Sequence, residues 1–241
     1  MTEKPLNGRV ALVTGASRGI GYALALALAE AGAHVIATAR TQGGLEDLDD
    51  VIREAGGSAS LVPMDLASQD GIEKLGEIVR ERWGKLDILI ANAGALGVLT
   101  PAAQVSAKTW NEVFAINVMA PARLIRAFEA LLMESDAGRA IFLTSGAARG
   151  RGAYWAPYAS SKAALDALVQ SWAKEHTTSD LRINLVNPGP MRTAMRAKAF
   201  PGEDPQTLPP ADALAPMVLE LVSPDCTQNG EIVDYPDWAK A

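Results

Sequence analysis

Short apolar runs alternate with amphipathic stretches along most of this 241-residue chain. Each run is too short for a helix and ends at glycine or polar residues, which is typical of strands buried on both faces. We predict strands over residues 10–14, 34–38, 59–64, 85–91, 139–144 and 182–186, with a short further strand within 230–238. The alternation favours one α/β domain over residues 1–241, built on a doubly wound parallel sheet of about seven strands with helices on both faces.

The segments between the strands carry apolar residues at helical spacing. This spacing predicts helices over residues 20–31, 69–83, 106–133 and 157–177, and a short helix around residues 45–52. We expect Gly43 and Gly44 to break the chain before that short helix. We expect residues 106–133 to form one long helix.

The turn after the first strand contains Gly15, Gly19 and Gly21 within seven residues. Because a helix starts in the same turn, unpaired N–H groups and the positive end of the helix dipole point out of the loop. Such a loop binds phosphate. No Lys-Ser or Lys-Thr follows, which excludes the nucleoside-triphosphate loop, and the spacing also differs from the G-x-G-x-x-G of the commonest dinucleotide fold.

The end of the second strand indicates which dinucleotide the loop would bind. An NAD site places Asp or Glu here to bind the ribose 2′-hydroxyl. Ala39 cannot do so, whereas Arg40 can pair with a 2′-phosphate, and Arg18 of the glycine loop could reach the same phosphate. The residues therefore favour NADP(H) over NAD(H). The alternative is that both arginines are solvated surface residues.

Tyr158 and Lys162 follow Pro157, which suits the first turn of a helix. Since they are four residues apart, their side chains project from one helical face. A phenol has an ordinary pKa of about 10 and is a poor acid or base near neutral pH, but a neighbouring cation favours the phenolate. The pair is therefore a candidate for proton transfer. Tyr154 is a weaker candidate because no lysine follows it at that spacing.

Asp65 follows the third strand, at the edge where open α/β sheets bind ligands. It could accept a hydrogen bond from an adenine amino group while Leu66 packs on the ring. Alternatively it caps the next helix, for which Ser68 is an equally good residue.

Two asparagines also allow two interpretations. Asn92 begins a turn of small residues with Ala93 and Gly94, where a cofactor can approach the backbone closely, and its amide can tie neighbouring strands together. For Asn92 the structural role is favoured. Asn117 lies among apolar residues of the long helix, and its amide is either a satisfied core group or a holder of ligand and water.

Composition and charge exclude several classes of function. The formal net charge of −6 argues against nucleic-acid binding. No segment stays apolar for about 18 residues and the N-terminus has no apolar signal core, so we expect a cytoplasmic protein that does not bind membranes. Cys226 stands alone, and the positions of His34 and His176 offer neither a catalytic relay nor a metal site.

Taken together, the motifs resemble those of the short-chain dehydrogenase/reductase family, in its short single-domain form with a Rossmann-like fold. The matching pieces are Thr14 to Gly21 (TGASRGIG), Asp65-Leu66, Asn92-Ala93-Gly94, Asn117, Ser145, Tyr158 to Lys162 (YASSK), and Asn187-Pro188-Gly189 with Thr193. The resemblance covers nearly the whole chain. It implies an NADP(H)-dependent oxidoreductase that transfers a hydride between the nicotinamide and the carbonyl or secondary alcohol of a small organic substrate.

The resemblance also implies roles for individual residues. Tyr158 would be the general acid or base, Ser145 would hold the substrate oxygen, and Lys162 would bind the nicotinamide ribose and lower the pKa of Tyr158. Asn117 would anchor a water that links Lys162 to solvent. The predicted cofactor-binding residues, besides Tyr158 and Lys162, are Gly15, Ser17, Arg18, Gly19, Ile20, Gly21, Arg40, Asp65, Leu66, Asn92, Ala93, Gly94, Pro188, Gly189 and Thr193. No metal is implied.

Residues 190–210 are expected to form a flap over the substrate. The cations of this region are either a site for an anionic substrate or a solvated rim; they are Arg149, Arg151, Arg192, Arg196 and Lys198. The resemblance implies a homodimer or homotetramer formed through the helices near 106–133 and 157–177.

Two other functions compete with the oxidoreductase. A non-catalytic NADPH-binding regulator could share the fold, although the intact set of Asn117, Ser145, Tyr158 and Lys162 argues against it. An epimerase or lyase with tightly held cofactor could use the same residues, although such enzymes are usually longer.

Overall fold

The protein was analysed as a computed structural model that describes residues 4–68, 70–150 and 152–240. Its seven strands are β1 (Val10–Thr14), β2 (His34–Ala39), β3 (Ser58–Pro63), β4 (Ile88–Ala91), β5 (Arg139–Leu143), β6 (Arg182–Asn187) and β7 (Ile232–Asp234). They form one parallel sheet in the order β3-β2-β1-β4-β5-β6-β7. Because the strand order reverses between β1 and β4, the carboxyl ends of these two strands flank the crevice in which such sheets bind ligands.

Ten helices connect or follow the strands in the described part of the chain. They are α1 (Gly19–Glu30), α2 (Gln42–Glu54), α3 (Gly71–Trp83), α4 (Ala107–Phe114), α5 (Ala120–Met133), α6 (Ala147–Gly150), α7 (Ala156–Glu175), α8 (Ala194–Ala199), α9 (Ala215–Leu221) and α10 (Tyr235–Trp238). Gln69, where we predicted α3 to begin, lies outside the described residues. Within those residues, no helix has both the length and the apolarity needed to cross a bilayer.

An apolar core lies on each face of the sheet. Along β1, Ala11 and Val13 belong to the core that also contains buried residues of α1, α2 and α9. Val10 and Leu12 belong to the opposite core, with α3, α5 and α7. This alternation is the two-residue period of a strand covered on both faces. It confirms the predicted doubly wound sheet with helices on both sides.

The predicted break at Gly43 and Gly44 is wrong, because both residues lie in the first turn of α2. At position 44, glycine is required by packing instead. A Cβ atom on Gly44 would lie 2.8 Å from the Ser17 carbonyl oxygen and 2.9 Å from the Ser17 Cβ, closer than non-bonded atoms approach in a well-packed interior. Gly44 therefore allows α2 to lie directly against the turn after β1.

The predicted long helix over residues 106–133 contains an interruption. Between α4 and α5 the chain forms one wider π-type turn, Ala115–Met119. Pro121 accounts for it, since proline has no N–H to donate to the Asn117 carbonyl and its ring would clash with that carbonyl in a regular α-helix. Asn117 lies at the centre of the wide turn and is buried.

The turn between β1 and α1 is the tightest part of the fold. Gly15 and Gly19 have φ angles of +67° and +60°, a conformation that favours glycine. Gly21 is constrained by space, because a Cβ there would lie 2.3 Å from the Gly15 carbonyl oxygen and 2.4 Å from the Asn92 Nδ2. The turn therefore requires glycine at all three positions.

We predict that Gly21→Ala destabilises the protein by about 1–3 kcal/mol, because the added methyl group displaces the Gly15 carbonyl and the Asn92 side-chain amide. Gly43→Ala is the matched control, since it is also in a first helical turn and a Cβ there would meet nothing within 4 Å. The control should leave stability unchanged or raise it by up to about 1 kcal/mol. Urea unfolding measures both, and equal effects would contradict this packing account.

Candidate active site

Three predicted residues of the phosphate end lie together at the carboxyl edge of β1 and β2. Arg18 is the residue before α1 and Arg40 directly follows β2; both side chains are exposed. Neither forms a hydrogen bond or ion pair with any other described residue. Ser17 packs against Gly44. Two unpaired guanidinium groups thus flank a loop of glycines at the start of a helix.

Asp65 and Leu66 follow β3 at the same edge. The Asp65 Oδ1 accepts a hydrogen bond from the Ala67 N–H at 2.9 Å, and Leu66 is buried. The residue that precedes α3 is Asp70. The helix-capping alternative for Asp65 and Ser68 is therefore wrong, and contact with adenine stays a prediction.

Asn92 ties the end of β4 to the end of β1. Its Nδ2 donates to the Thr14 carbonyl at 2.8 Å and to the Gly15 carbonyl at 3.3 Å. The backbone N–H groups of Asn92 and Ala93 both donate to the Thr14 Oγ1 at 3.0 Å. This confirms the structural role predicted for the Asn92 amide. Gly94 follows at the point where the loop passes Lys162, since a Cβ on Gly94 would lie 3.8 Å from the Lys162 Nζ.

Successive residues at the end of β5 contact one face of α7. The Lys162 Nζ donates to the Leu143 carbonyl at 2.6 Å, and the Thr144 hydroxyl donates to the Asp166 carboxylate. The next residue, Ser145, interacts with Tyr158 and lowers the pKa of its phenol. Since Tyr158, Lys162 and Asp166 are spaced by four residues, all three lie on the same helical face. The predicted triad of Ser145, Tyr158 and Lys162 is brought together.

Burial controls the protonation of both groups. Burial raises the pKa of Tyr158, and the interaction with Ser145 opposes this shift in part. Burial also lowers the pKa of Lys162 to about 8, while the Asp166 carboxylate acts in the opposite direction. The Lys162 Nζ lies 5.9 Å from the centre of the Tyr158 ring. In this state the phenol is protonated at neutral pH.

The Asn117 amide is satisfied by protein groups. Its Oδ1 accepts from the Ala95 N–H at 2.8 Å, and its Nδ2 donates to the Ala95 carbonyl and the Ser161 Oγ, both at 2.9 Å. These bonds connect the π-type turn to the loop after β4 and to α7. The core-amide interpretation is confirmed, whereas the water anchored near Lys162 stays a prediction.

Asn187 and Asp234 position the loop that contains Pro188 and Gly189. The Asn187 Oδ1 accepts from the N–H groups of Gly146 and Gly189, at 2.9 and 3.1 Å. Its Nδ2 donates to the Asp234 Oδ1 at 2.5 Å. Asp234, at the end of β7, thereby helps hold the segment next to Ser145.

The residues predicted to form the flap contact other parts of the protein. A Cβ on Gly19 would lie 3.6 Å from the Thr193 methyl group, which brings Thr193 to the glycine turn. The Phe200 and Trp155 ring centres are 5.7 Å apart, and the Lys198 Nζ lies 3.4 Å from the Gly97 carbonyl oxygen. A cavity of about 500 Å³ lies within the flap, and Thr193 and Phe200 are among the residues that line it.

Three of the cations near the flap contact protein groups. Arg196 forms a two-pronged ion pair with Glu203, with both distances 2.6 Å, and Arg149 forms one with Asp234 at 3.0 and 2.6 Å. Arg192 donates to the backbone carbonyls of residues 205 and 208. The solvated rim and the site for an anionic substrate both stay predictions. Arg151 lies outside the described residues.

Sequence reasoning missed Thr144, Asp166 and Asp234. Asp166 had a signal, because it continues the four-residue spacing of Tyr158 and Lys162 along the buried face of α7. Asp234 had none, since its bond to Asn187 joins residues 47 positions apart. His34, His176 and Cys226 take no part in the site: His34 is held by Ser58 and Ser60, at 2.8 and 3.0 Å.

Comparison of the sequence with known proteins agrees with this geometry. The sequence model of the short chain dehydrogenase family matches residues 9–204. The uncharacterized oxidoreductase YciK of Escherichia coli K12 is 37% identical over 223 residues, which covers 91% of this chain and 88% of YciK. The 3beta-hydroxysteroid dehydrogenase 1 of Eggerthella lenta is 32% identical over 216 residues, which covers 88% of this chain and 81% of that protein.

Solved structures agree as closely. A short chain dehydrogenase from Shigella flexneri, complexed with NADP, superimposes with a TM-score of 0.92 at 36% identity and covers 97% of this chain and 99% of its own. One from Escherichia coli CFT073, complexed with NADPH, gives the same TM-score, identity and coverage. With its parallel sheet, glycine turn and Ser145, Tyr158 and Lys162 assembled at one edge, the chain belongs to the short-chain dehydrogenase family of oxidoreductases.

Proposed function

We propose that this protein is an NADP(H)-dependent reductase of a small organic carbonyl compound, with Tyr158 as the proton donor. One observation carries the proposal. Tyr158 is buried, interacts with Ser145 and lies one helical turn from Lys162, at the edge of the sheet that also holds the glycine turn.

The residues around the glycine turn fit a dinucleotide with a 2′-phosphate. A Cβ on Gly19 would meet only the Thr193 side chain, at 3.6 Å, so the backbone at the start of α1 is open to a pyrophosphate. Arg18 and Arg40 are exposed and unpaired in the described structure, which leaves both guanidinium groups available for the 2′-phosphate. The NADP and NADPH held by the Shigella and E. coli relatives support the same cofactor here.

Other predicted cofactor residues would bind the remaining parts of the dinucleotide. Asp65 and Leu66 would bind the adenine, and Thr193 with the backbone at Pro188 and Gly189 would bind the carboxamide. Lys162, whose Nζ lies beside Gly94 and the Leu143 carbonyl, would bind the nicotinamide ribose. When bound, NADPH supplies the hydride that adds to the carbonyl carbon.

Ser145 and Tyr158 would act on the carbonyl oxygen. As negative charge develops there, both hydroxyl groups donate hydrogen bonds, and the Tyr158 proton passes to the oxygen to complete the alcohol. Because burial raises the pKa of Tyr158, the phenol holds this proton at neutral pH. The Lys162 ammonium then favours the phenolate that remains. The proton state of the free protein therefore suits reduction.

Tyr158→Phe should lower kcat for carbonyl reduction at least about 100-fold, because the general acid is lost, while NADPH binding changes little. NADPH fluorescence measures the binding, and stopped-flow absorbance measures turnover. Tyr22→Phe is the matched control: Tyr22 lies in α1 and packs against the core, and the variant should keep its activity. Turnover that survives in Tyr158→Phe would refute the proposed proton donor.

Arg40→Ala should weaken NADPH binding by roughly 10- to 100-fold, through loss of a charge-assisted contact with the 2′-phosphate, and leave NADH binding nearly unchanged. Arg80→Ala removes the same charge from an exposed position on α3 and controls for the overall field. Titration of each variant with both nucleotides measures the difference. Equal losses for NADPH and NADH would refute the role of Arg40.

The homodimer or homotetramer stays a prediction. In its support, α5 and the turn before it expose Met133 and Met119, with 46% and 56% of each residue accessible. Exposed apolar residues on these helices suit a contact between subunits.

A further inference from the structure

Three segments lie beside Tyr158 and form a rim, which we define as residues 97–100, 152–155 and 194–200. The Thr100 N–H donates to the Tyr154 carbonyl at 3.2 Å, which joins the first segment to the second. The Trp155 ring lies 5.7 Å from the ring of Tyr158 and 5.7 Å from that of Phe200, which joins the second segment to the third. The rim is therefore next to the proposed proton donor.

The rim is apolar. Among the described residues, seven large apolar side chains are exposed, and four of them belong to the rim: Val98, Tyr154, Met195 and Phe200. The other three are Ile78 on α3, Met119 in the turn before α5 and Met133 on α5. Exposed apolar groups gathered at one place mark a surface that binds apolar material.

Both charged side chains of the rim, Arg196 and Lys198, already contact protein groups. Arg196 pairs with Glu203, and its guanidinium also stacks on the Phe200 ring, 3.7 Å from the ring centre. The Lys198 Nζ is directed to the Gly97 carbonyl. An anion bound here would have to replace these contacts, with Glu203 as a competing negative charge. The rim therefore disfavours an anionic substrate.

Trp155 is fixed in place as a wall beside Tyr158. Tyr154, which precedes it, has φ of +73°, the one non-glycine residue in the described structure with a positive φ, a conformation that such residues rarely adopt. A Cβ on Gly152 would lie 3.1 Å from the Trp155 Cδ1, so the loop backbone packs closely on the indole. The chain thus accepts an unfavourable backbone angle where the indole is set against the phenol.

We infer that the substrate is an uncharged carbonyl compound with a bulky apolar group, which packs between Trp155 and Phe200 while its oxygen meets Ser145 and Tyr158. The inference rests on the proposed function and assigns the class of its substrate. Trp155 and Phe200 are the residues that determine specificity.

Three α-keto compounds separate charge from apolar bulk: ethyl benzoylformate is neutral and aromatic, benzoylformate has the same ring but an anionic carboxylate, and ethyl pyruvate is neutral but small. With NADPH, we expect kcat/KM for ethyl benzoylformate to exceed both others by about tenfold or more, since pocket contacts of this size discriminate by such factors. A preference for benzoylformate or ethyl pyruvate would overturn the inference and leave the reductase intact. No reduction of any compound would overturn both.

Variants locate the contact. Phe200→Ala and Trp155→Leu should each lower kcat/KM for ethyl benzoylformate about tenfold and change that for ethyl pyruvate less than about threefold. Ile78→Ala removes an exposed apolar side chain of α3, distant in sequence from the rim, and should change neither. NADPH binding measured by fluorescence shows that each variant is folded. Equal losses for both esters in Phe200→Ala, which alters an exposed side chain, would overturn the assignment.

Discussion

The active site depends on the way in which α7 is fastened to the end of β5. Leu143, Thr144 and Ser145 are consecutive. The first two are hydrogen-bonded to Lys162 and Asp166, and the third interacts with Tyr158. Consecutive residues that leave a strand thus meet side chains spaced by one helical turn. The strand fixes where each contact lies along the helix axis, and the helix fixes the direction in which each side chain points. The phenol and the ammonium are therefore held in position before any ligand binds.

This fastening also explains the proton chemistry. Deep burial would be costly for Lys162 without the Leu143 carbonyl and the nearby Asp166 carboxylate. Burial of Tyr158 favours the neutral phenol. Burial therefore favours the neutral form of both groups. Charge that develops on a bound substrate would then shift both groups toward proton transfer.

Separate polar networks hold the two ends of the sheet. At the carboxyl edge, Asn92, Asn117 and Asn187 connect loops through their amides, each with at least one hydrogen bond to a backbone group. At the opposite edge, the fully buried Asp87 accepts hydrogen bonds from Arg9, Lys85, Ser135 and the Val10 N–H. These groups lower the pKa of Asp87 against the effect of its burial. The network around Asp87 stabilises the edge opposite the active site, and the functional residues lie at the carboxyl edge.

Patterns that act locally could be predicted from the sequence. The strands, the glycine turn and the spacing of Tyr158 and Lys162 each depend on a few adjacent residues. A prediction failed where a contact distant in sequence was involved: Gly44, predicted to break the chain, lies in α2 and packs on Ser17. The ion pairs of Arg196 with Glu203 and of Arg149 with Asp234 were not predicted either. The π-type turn at Asn117 was locally encoded by Pro121, but helical periodicity alone does not reveal it.

The pKa of Tyr158 is the most direct test of the way this site works. Carbon-13 labelling of the four tyrosines, with Tyr158→Phe to assign one resonance, allows its titration to be followed by NMR with and without NADP⁺. In the free protein the phenol should titrate above the ordinary value of about 10, and NADP⁺ should move its titration to lower pH. A phenol that titrates like an exposed tyrosine in the free protein, and does not respond to NADP⁺, would contradict the buried, cation-assisted proton donor.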